Sequence, residues 1–396
     1  MTAALQTVID QIRSASASKT PLRIRGGGTK DFYAEKLAGQ VLDMTALSGI
    51  VSYEPCELVV TCKAGTSLAE LEALLASQGQ CLPFEPPHFG AGGTALAPLG
   101  AGAPQHSGKA AAGPQGTVGG MVAAGLAGPA RACVGGVRDY VLGVQMVNGR
   151  AEHLTFGGTV MKNVAGYDVS RLIAGSWGML GVITEVSLKV LPVAPAEATL
   201  RFAMDEATML HQVNTWGGQP LPLNASSWVI DAGTPTLYLR LRGAQAAVEA
   251  ACKRLSQEAS GVRVDSLETR ADWRAARDLQ LPWFKQGFAR GDDLWRLSVP
   301  QTTPPLNLGD TMIDWLGGQR WVWTQAGDAQ AAQRIRLAAH SAQGSATLFI
   351  AAYANKERAA GRFDTLKPPL DRIHRQLKAE FDPAGIFNPG RLPWFA

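Results

Sequence analysis

Long apolar segments are missing from this sequence of 396 residues. No apolar run approaches the roughly 20 residues that a membrane-spanning helix requires, so we expect no transmembrane segment. Residues 1–18 carry Asp10 and Arg13 within a helical pattern, and they lack the basic start and apolar block of a signal peptide. We therefore expect neither a membrane span nor a secretion signal.

Clusters of cysteine, histidine or basic residues are also lacking. The five cysteines are scattered, odd in number and form no C-x-x-C pair, which indicates reduced thiols in a cytosolic protein. The six histidines lie far apart without metal-ligand spacing, so we expect no metal site. The net charge of +4 is spread along the chain, and nucleic-acid binding is not indicated.

Glycine, in contrast, is concentrated at residues 116–128, which hold five glycines in 13 positions and almost no side chain larger than valine. Glycine tolerates positive φ and leaves its backbone N–H groups uncovered. Such N–H groups at a turn or a helix start suit a phosphate or diphosphate. Small-residue runs also serve tight helix packing, so the stretch alone leaves both uses open.

A second glycine loop follows the first predicted strand, at 22–25. This strand runs directly into Gly26-Gly27-Gly28-Thr29-Lys30, with Arg25 on the other side. The segment is a candidate phosphate loop, and an ordinary tight turn is the alternative.

The first 80 residues mix helices and strands. Apolar spacing predicts a helix over 5–12, and strand patterns occupy 39–44 and 58–65. Ser67 and Glu70 fit a capping box at the start of a second helix. This mixture favours an α+β fold over a regular doubly wound sheet.

Residues 141–192 predict a hairpin, a short helix and a further strand. The hairpin signal Asn148-Gly149 separates strands at 141–147 and 151–156. Asp168 is a candidate helix cap, and the alternation over 182–190 predicts a half-exposed strand.

The remaining chain divides at Pro192 and Pro195, after which a second α+β region runs over 197–355. Before it, 19 of the 27 residues in 90–116 are Gly, Ala or Pro, which predicts a mobile or irregular loop. The strand patterns of the second region lie at 227–230, 236–241, 294–299, 320–324 and 346–351, and its helical patterns at 245–258, 267–280 and 329–340.

Four separated segments together resemble the FAD-binding domain of the vanillyl-alcohol-oxidase/p-cresol-methylhydroxylase (PCMH) superfamily. They lie at 25–30, 117–128, 162–183 and 382–391. The resemblance is closer still to the FAD-binding subunits of bacterial glycolate oxidases, through Glu85-Pro86-Pro87-His88-Phe89-Gly90, Val137-Arg138-Asp139-Tyr140 and Phe387-Asn388-Pro389-Gly390-Arg391.

The resemblance implies an α+β fold in three parts. A PCMH-type FAD-binding domain with two subdomains occupies 1–193 and contains the low-complexity loop 90–116. A smaller α+β cap domain occupies 197–355, and a C-terminal segment at 364–396 returns to the FAD domain.

The resemblance also implies FAD as the cofactor. The diphosphate would lie against the 25–29 loop, residues 117–128 would contact the diphosphate, ribose and flavin, and Gly181-Val182-Ile183 would meet the adenine side. Thr29 stands where some relatives attach FAD through a histidine, so we expect non-covalent FAD. The implied cofactor-binding residues are Arg25, Gly26, Gly27, Gly28, Thr29, Lys30, Pro86, Thr117, Val118, Gly119, Gly120, Ala123, Gly125, Gly128, Arg138, Asp139, Lys162, Gly181, Val182 and Ile183.

Two of these residues, Arg138 and Lys162, are candidates to balance the diphosphate charge, with a surface ion pair as the alternative. The catalytic residues are not identified. Oxidation of a 2-hydroxy acid needs a base near the flavin and a cation for the carboxylate. His88 is a candidate to face the flavin. Related catalytic subunits carry a His-Gly-Asp-Gly-type segment, whereas the segment here, at His340, lacks the acid.

Three functions compete at this point. The resemblance implies an FAD-binding subunit of a glycolate oxidase (glycolate dehydrogenase) complex that converts glycolate to glyoxylate. Its partners would be a second, catalytic FAD subunit and an iron–sulfur subunit, because this chain has no cysteine array for a cluster. The alternatives are a self-sufficient FAD-dependent 2-hydroxy acid dehydrogenase and a non-catalytic scaffold. We expect a cytoplasmic protein that reaches the inner membrane only through the complex.

Overall fold

The structure is a computed structural model that describes residues 2–90, 115–158, 168–264, 266–352 and 361–395. Most of the low-complexity loop at 90–116 and the predicted site residue Lys162 lie outside the described residues. Helices and sheets are mixed throughout, which confirms the α+β class. None of the described helices has the length and apolar character needed to cross a membrane.

The helices and strands are numbered here in chain order. The helices are α1 Ala3–Ser18, α2 Leu68–Ser77, α3 Val118–Ala124, α4 Arg131–Val134, α5 Val169–Ile173, α6 Glu206–Gly217, α7 Gln245–Ala259, α8 Leu267–Arg277, α9 Pro282–Arg290, α10 Ala329–Ser341 and α11 Leu370–Phe381. The strands are β1 Leu22–Arg25, β2 Gln40–Asp43, β3 Ile50–Glu54, β4 Val59–Lys63, β5 Gln80–Cys81, β6 Val141–Val147, β7 His153–Gly157, β8 Val182–Lys189, β9 Leu191–Pro192, β10 Ala196–Ala203, β11 Leu223–Asp231, β12 Thr234–Gly243, β13 Val262–Arg263, β14 Asp293–Ser298, β15 Thr311–Asp314, β16 Gln319–Thr324 and β17 Ser345–Ile350.

The chain forms two compact units. The first unit consists of Met1–Leu126, Gly136–Pro192 and Thr365–Ala396, and the second of Ala127–Gly135 and Val193–Asp364.

The first unit begins with an amphipathic helix beside a small parallel sheet. Thr2 caps α1 by accepting a hydrogen bond from the Leu5 N–H, and Lys19 ends the helix in the left-handed region. The apolar face of α1 packs in one core with β1, β2 and the C-terminal Phe387. Because β1 pairs in parallel with β2, the glycine loop that follows β1 lies at the carboxyl end of this pair.

A five-stranded antiparallel sheet of order β3-β4-β8-β6-β7 completes the first unit. The prediction that β8 is half-exposed is wrong. Strand β8 lies in the centre of the sheet, and Ser187, expected on the exposed face, is buried and shares a hydrogen bond with Thr61. Glu185, on the same face, binds Lys63 at 2.5 Å, so polar pairing replaces solvent on this face.

Two local turn predictions also differ from the structure. Helix α2 begins after Ser67 as expected, but the Ser67 hydroxyl donates to Gln115 instead of closing a capping box. Strands β6 and β7 do form a hairpin, although five residues connect them and the positive φ falls on Ala151 rather than on Gly149. The Asn148 side chain organises this turn by accepting from the N–H groups of Arg150 and Glu152.

The second unit is built on an eight-stranded antiparallel sheet of order β13-β10-β12-β11-β15-β16-β14-β17. Its helices α6 and α7 pack on one part of the sheet around the fully buried Trp216. All five strands and all three helices predicted after residue 197 are present, whereas α6, α9, β10, β13 and β15 were not predicted.

Residues 127–135 lie within the range 1–193 expected for the FAD-binding domain, but they group with the second unit. The Trp315 indole N–H donates to the Gly128 carbonyl at 2.9 Å, and the Arg131 guanidinium lies over the Trp315 ring. These contacts join sequence-distant residues, so local patterns did not indicate them.

Candidate functional site

A cavity that is partly open to solvent lies in the first unit. Its walls come mainly from four separated stretches of chain: the loop after β1, helix α3, the turn before β8, and the C-terminal segment, with Met44 and Ala64 in addition. Both glycine-rich stretches singled out in the sequence therefore line one cavity.

The loop after β1 needs its glycines for steric reasons. A Cβ on Gly27 would lie 1.6 Å from the Gln115 carbonyl oxygen, and one on Gly26 would lie 2.2 Å from the Thr117 hydroxyl. Gly28 has φ +72°, which disfavours other residues. Within the described part of the chain, the N–H groups of Gly26, Gly27 and Thr29 donate to no other backbone group. The loop thus keeps backbone donors available at the cavity.

Helix α3 presents a second glycine surface to the cavity. The Thr117 hydroxyl caps the helix by accepting from the Gly120 N–H at 3.2 Å. Gly119 lies against β4, where its N–H donates to the Ala64 carbonyl and a Cβ would meet the Ala64 Cβ at 2.6 Å. A Cβ on Gly120 would have only the Thr117 hydroxyl within 4 Å. Gly119 therefore permits close packing of the helix, and Gly120 leaves space in the cavity because it has no side chain.

Two buried cations line the cavity. Lys30 and Arg391 are 8% and 6% exposed, and an Arg391 N–H donates to the Lys30 carbonyl at 2.9 Å. Burial, together with the Arg391 charge, lowers the pKa of Lys30 to about 8. Burial also lowers the pKa of Arg391 to about 10, while Asp31 opposes that shift.

The C-terminal segment is locked to the cavity by Asn388. Its side-chain oxygen accepts from the Ile24 N–H at 2.8 Å, and its amide N–H donates to the Trp177 carbonyl at 2.7 Å. The guanidinium of Arg391 lies 4.9 Å from the Trp177 ring centroid, and Tyr33 stacks on this ring at 4.5 Å. Residues far apart in sequence are thereby held at one wall.

Twelve of the residues expected to bind the cofactor line this cavity. They are Arg25, Gly26, Gly27, Gly28, Thr29, Lys30, Thr117, Gly119, Gly120, Ala123, Gly181 and Ile183.

The other expected cofactor residues lie elsewhere or serve packing. Val118 and Val182 are fully buried in the core, and Gly125 ends α3 at φ +63°. Asp139 accepts from the Gly136 N–H, and Arg138 is exposed. The remaining three are Pro86 and Gly128, which are buried, the latter in the second unit, and Lys162, which lies outside the described residues.

Neither histidine considered for chemistry lines the cavity. His88 lies 2.9 Å from a carboxylate oxygen of Glu72, and His340 lies 3.1 Å from Asp364. Asp364 also accepts from the Ala346 N–H, so the His340 region is held by structural contacts. In the described ranges, no cluster of three or more His, Cys, Asp or Glu residues could hold a metal ion.

Sequence reasoning missed Trp177, Gly178, Asn388 and Arg391 as cavity residues. Asn388 and Arg391 belong to a motif that carried the family resemblance, but nothing in the local pattern showed which cavity they would reach. The bridge between Leu22 and Phe387 brings them there.

The residues present fit FAD. Three cationic side chains, Arg25, Lys30 and Arg391, and one carboxylate, Asp31, lie among the lining residues, which gives a net charge of two positive. A diphosphate carries about two negative charges, and backbone N–H groups with flanking cations are suited to bind it. The absence of a side chain at Gly120 leaves room for a flat cofactor, because a Cβ there would have only the Thr117 hydroxyl within 4 Å.

Comparison with known proteins agrees with this fit. A family described as FAD binding domain matches residues 3–110. The chain is 40% identical over 388 residues to the glycolate oxidase subunit GlcE of Escherichia coli (strain K12), covering 98% of this chain and 97% of that protein. It is 38% identical over 84 residues to the glycolate oxidase subunit GlcD of Bacillus subtilis (strain 168), covering 21% of this chain and 18% of that protein.

Solved structures are also similar to this chain in fold. An alkyldihydroxyacetonephosphate synthase matches with a TM-score of 0.64 at 15% identity, covering 97% of this chain and 74% of that chain. This likeness concerns the fold alone. The family match confirms FAD as the cofactor expected from the sequence.

Proposed function

The chain belongs to the family of the glycolate oxidase subunit GlcE, and from this premise we propose that it is the FAD-carrying subunit of a glycolate oxidase complex. In this function the complex oxidises glycolate to glyoxylate and passes the electrons onward. The observation that carries the proposal is the 40% identity across 98% of the chain. The glycine-walled, positively charged cavity supports it, because this is where FAD would be held.

The chain's own residues would bind and orient the cofactor. The chemistry that FAD supplies when bound is acceptance of a hydride from a carbon bearing a hydroxyl group. The N–H groups of the 26–29 loop would donate to the diphosphate, and Gly120 and Ala123 would lie along the cofactor. Thr29 has no imidazole with which to bond the flavin, which supports a non-covalent cofactor.

We further propose that the substrate site is completed by another subunit. The histidines considered for chemistry are engaged with Glu72 and Asp364 and lie away from the cavity. A second FAD subunit would then contribute the base, and an iron–sulfur subunit would carry electrons to the acceptor. The same proposal places the chain in the cytoplasm, with contact to the inner membrane only through these partners.

The visible absorption spectrum of the purified chain tests the proposal. We expect a flavin spectrum that glycolate does not bleach under anaerobic conditions until the partner subunits are added. Bleaching of the isolated chain would show a complete dehydrogenase and contradict the subunit role. Absence of flavin after soaking with FAD would contradict the cofactor role itself.

A further inference from the structure

Two cations are buried at one wall of the cavity although they come from opposite ends of the chain. Lys30 follows the glycine loop, and Arg391 lies five residues before the last residue, Ala396. Both side chains are less than 10% exposed, and the two residues are linked by the hydrogen bond from Arg391 to the Lys30 carbonyl. Burying two like charges side by side is unfavourable unless an anion compensates them.

Among the described residues, Asp31 compensates these charges only in part, because its negative charge acts on Arg391 while its carboxylate is bound to Arg25. Asp31 is the one acid among the described lining residues, and it binds Arg25 at 2.9 Å. Counting only described residues, the Lys30 ammonium has a single hydrogen bond, of 3.3 Å, to the neutral Thr29 hydroxyl. The Nε of Arg391 is buried and has no hydrogen-bond partner in the described part of the chain. At this wall, among the described residues, a hydrogen-bond donor therefore remains without an acceptor and positive charge remains in excess.

The position of these cations restricts the kind of anion that fits between them and the glycine loop. They line the same cavity as Gly26, Gly27 and Thr29, whose N–H groups donate to no other described backbone group. The aromatic rings of Trp177 and Phe89 lie beside the guanidinium and the ammonium and exclude water from one side of each. A compact dianion that contacts backbone and side-chain donors together fits this arrangement.

We propose that Lys30 and Arg391 bind the diphosphate of FAD jointly, so that the C-terminal segment is part of the cofactor site. This inference rests on the proposed function, since it takes FAD as the ligand. It assigns to these two residues the charge compensation for which Arg138 was a candidate. Arg138 is exposed and absent from the cavity lining, and Lys162 lies outside the described residues.

Titration of the full-length apoprotein with FAD tests the assignment through affinity rather than turnover. Flavin fluorescence would be followed at several NaCl concentrations for the wild type, Lys30→Gln, Arg391→Gln and Arg391→Lys. We expect each Gln variant to lose about 10- to 100-fold in FAD affinity, the range for a lost hydrogen bond to a charged group. We also expect a weaker salt dependence, because fewer charges remain to be screened. Arg391→Lys should recover part of the loss.

Arg13→Gln is the matched control, because it removes one positive charge from an exposed helix face outside the cavity. It should change neither the affinity nor its salt dependence. Far-UV circular dichroism and thermal unfolding would establish that each variant is folded. If Arg391→Gln does not fold, Lys30→Gln and Arg391→Lys decide by the same criteria.

The outcomes separate this assignment from the proposed function. Wild-type affinity and salt dependence in both Gln variants would overturn the assignment while leaving FAD binding intact. A loss of affinity with an unchanged salt dependence would also overturn it, since that pattern indicates lost packing. A wild-type chain that binds no FAD would contradict the proposed function and this assignment together.

Discussion

At the scale of single residues, the buried charge of Lys30 lowers the stability of the apoprotein, and a bound anionic cofactor would relieve this effect. Its pKa falls from 10.5 to about 8 on folding, so the unfolded chain holds the proton more tightly than the folded apoprotein does. Below pH 8 both states are charged and the full destabilisation is present. As the pH rises from about 8 to 10.5, the folded state loses its proton first and the destabilisation fades.

We therefore predict that Lys30→Met stabilises the apoprotein and weakens FAD binding. Methionine fills a similar volume without charge, so the free energy of unfolding at pH 7 should rise by about 1–3 kcal/mol. Urea unfolding at pH 7 and pH 10 would measure it, and the difference from the wild type should shrink at pH 10. The exposed Lys36 is the control, since Lys36→Met should have little effect at either pH. A destabilised apoprotein at pH 7 would contradict the prediction.

Asp314 provides a second residue-scale prediction, in the second unit. Burial raises the pKa of this carboxyl to about 6, although Trp321 and Gln319 donate hydrogen bonds to it. The folded state thus keeps a proton that the unfolded chain releases near pH 3.8, and the stability from this group is lost as the pH rises from about 4 through 6.

Asp314→Asn should remove this pH dependence. An amide oxygen still accepts from Trp321 and carries no charge, so the variant should be about 1–3 kcal/mol more stable than wild type at pH 7. The two proteins should have nearly equal stability at pH 4. Denaturant unfolding at both pH values measures the difference, with the exposed Asp10→Asn as the control. An equal stability difference at both pH values would show that Asp314 is not the titrating group.

At the scale of elements, regular spacing and caps were predictable, and long-range burial was not. The i, i+3, i+4, i+7 spacing identified α1, and Asp168 does cap α5 by accepting from the Arg171 N–H. The alternation in β8 gave the strand but the wrong exposure, because its two neighbours come from distant sequence. The role of Ser67 was missed since Gln115, far along the chain, supplies a competing partner.

Neighbouring glycines of α3 should respond differently to the same substitution. Gly119→Ala places a methyl group against Ala64, so we expect a loss of about 1–3 kcal/mol in the free energy of unfolding. Gly120→Ala meets only the Thr117 hydroxyl at 3.1 Å and gains helix propensity, so its stability should stay within about 1 kcal/mol of wild type. Urea unfolding of both variants measures this.

The same pair tests the cavity wall. The Gly120→Ala methyl would project into the cavity that we propose holds the cofactor, so FAD affinity should fall about tenfold or more in a folded protein. Fluorescence titration of this variant beside wild type gives the result. Unchanged affinity would mean that this face of α3 does not contact the cofactor.

At the scale of the whole molecule, the cavity joins stretches of chain that lie more than 350 residues apart. Its walls include residues between Ile24 and Asp31 at one end of the chain and Asn388 and Arg391 at the other. The glycine loops were predictable because their composition is unusual locally. The C-terminal wall was not, because it depends on Asn388 bonding Ile24 and Trp177. A ligand in this cavity would therefore stabilise segments that no local pattern connects.

Hydrogen exchange with and without FAD should report this connection. Hydrogen exchange should slow together in peptides covering 24–31, 117–124, 177–183 and 388–391 when FAD is added. The reason is that ligand binding increases the population of the closed state relative to locally open states. Peptides from β11, in the second unit, serve as the internal reference. Protection limited to 24–31 and 117–124 would show that the C-terminal wall is structural only. Equal protection in β11 would show a general stabilisation instead of a local one, and only protection of all four segments beyond that of β11 supports a cofactor site shared by both ends of the chain.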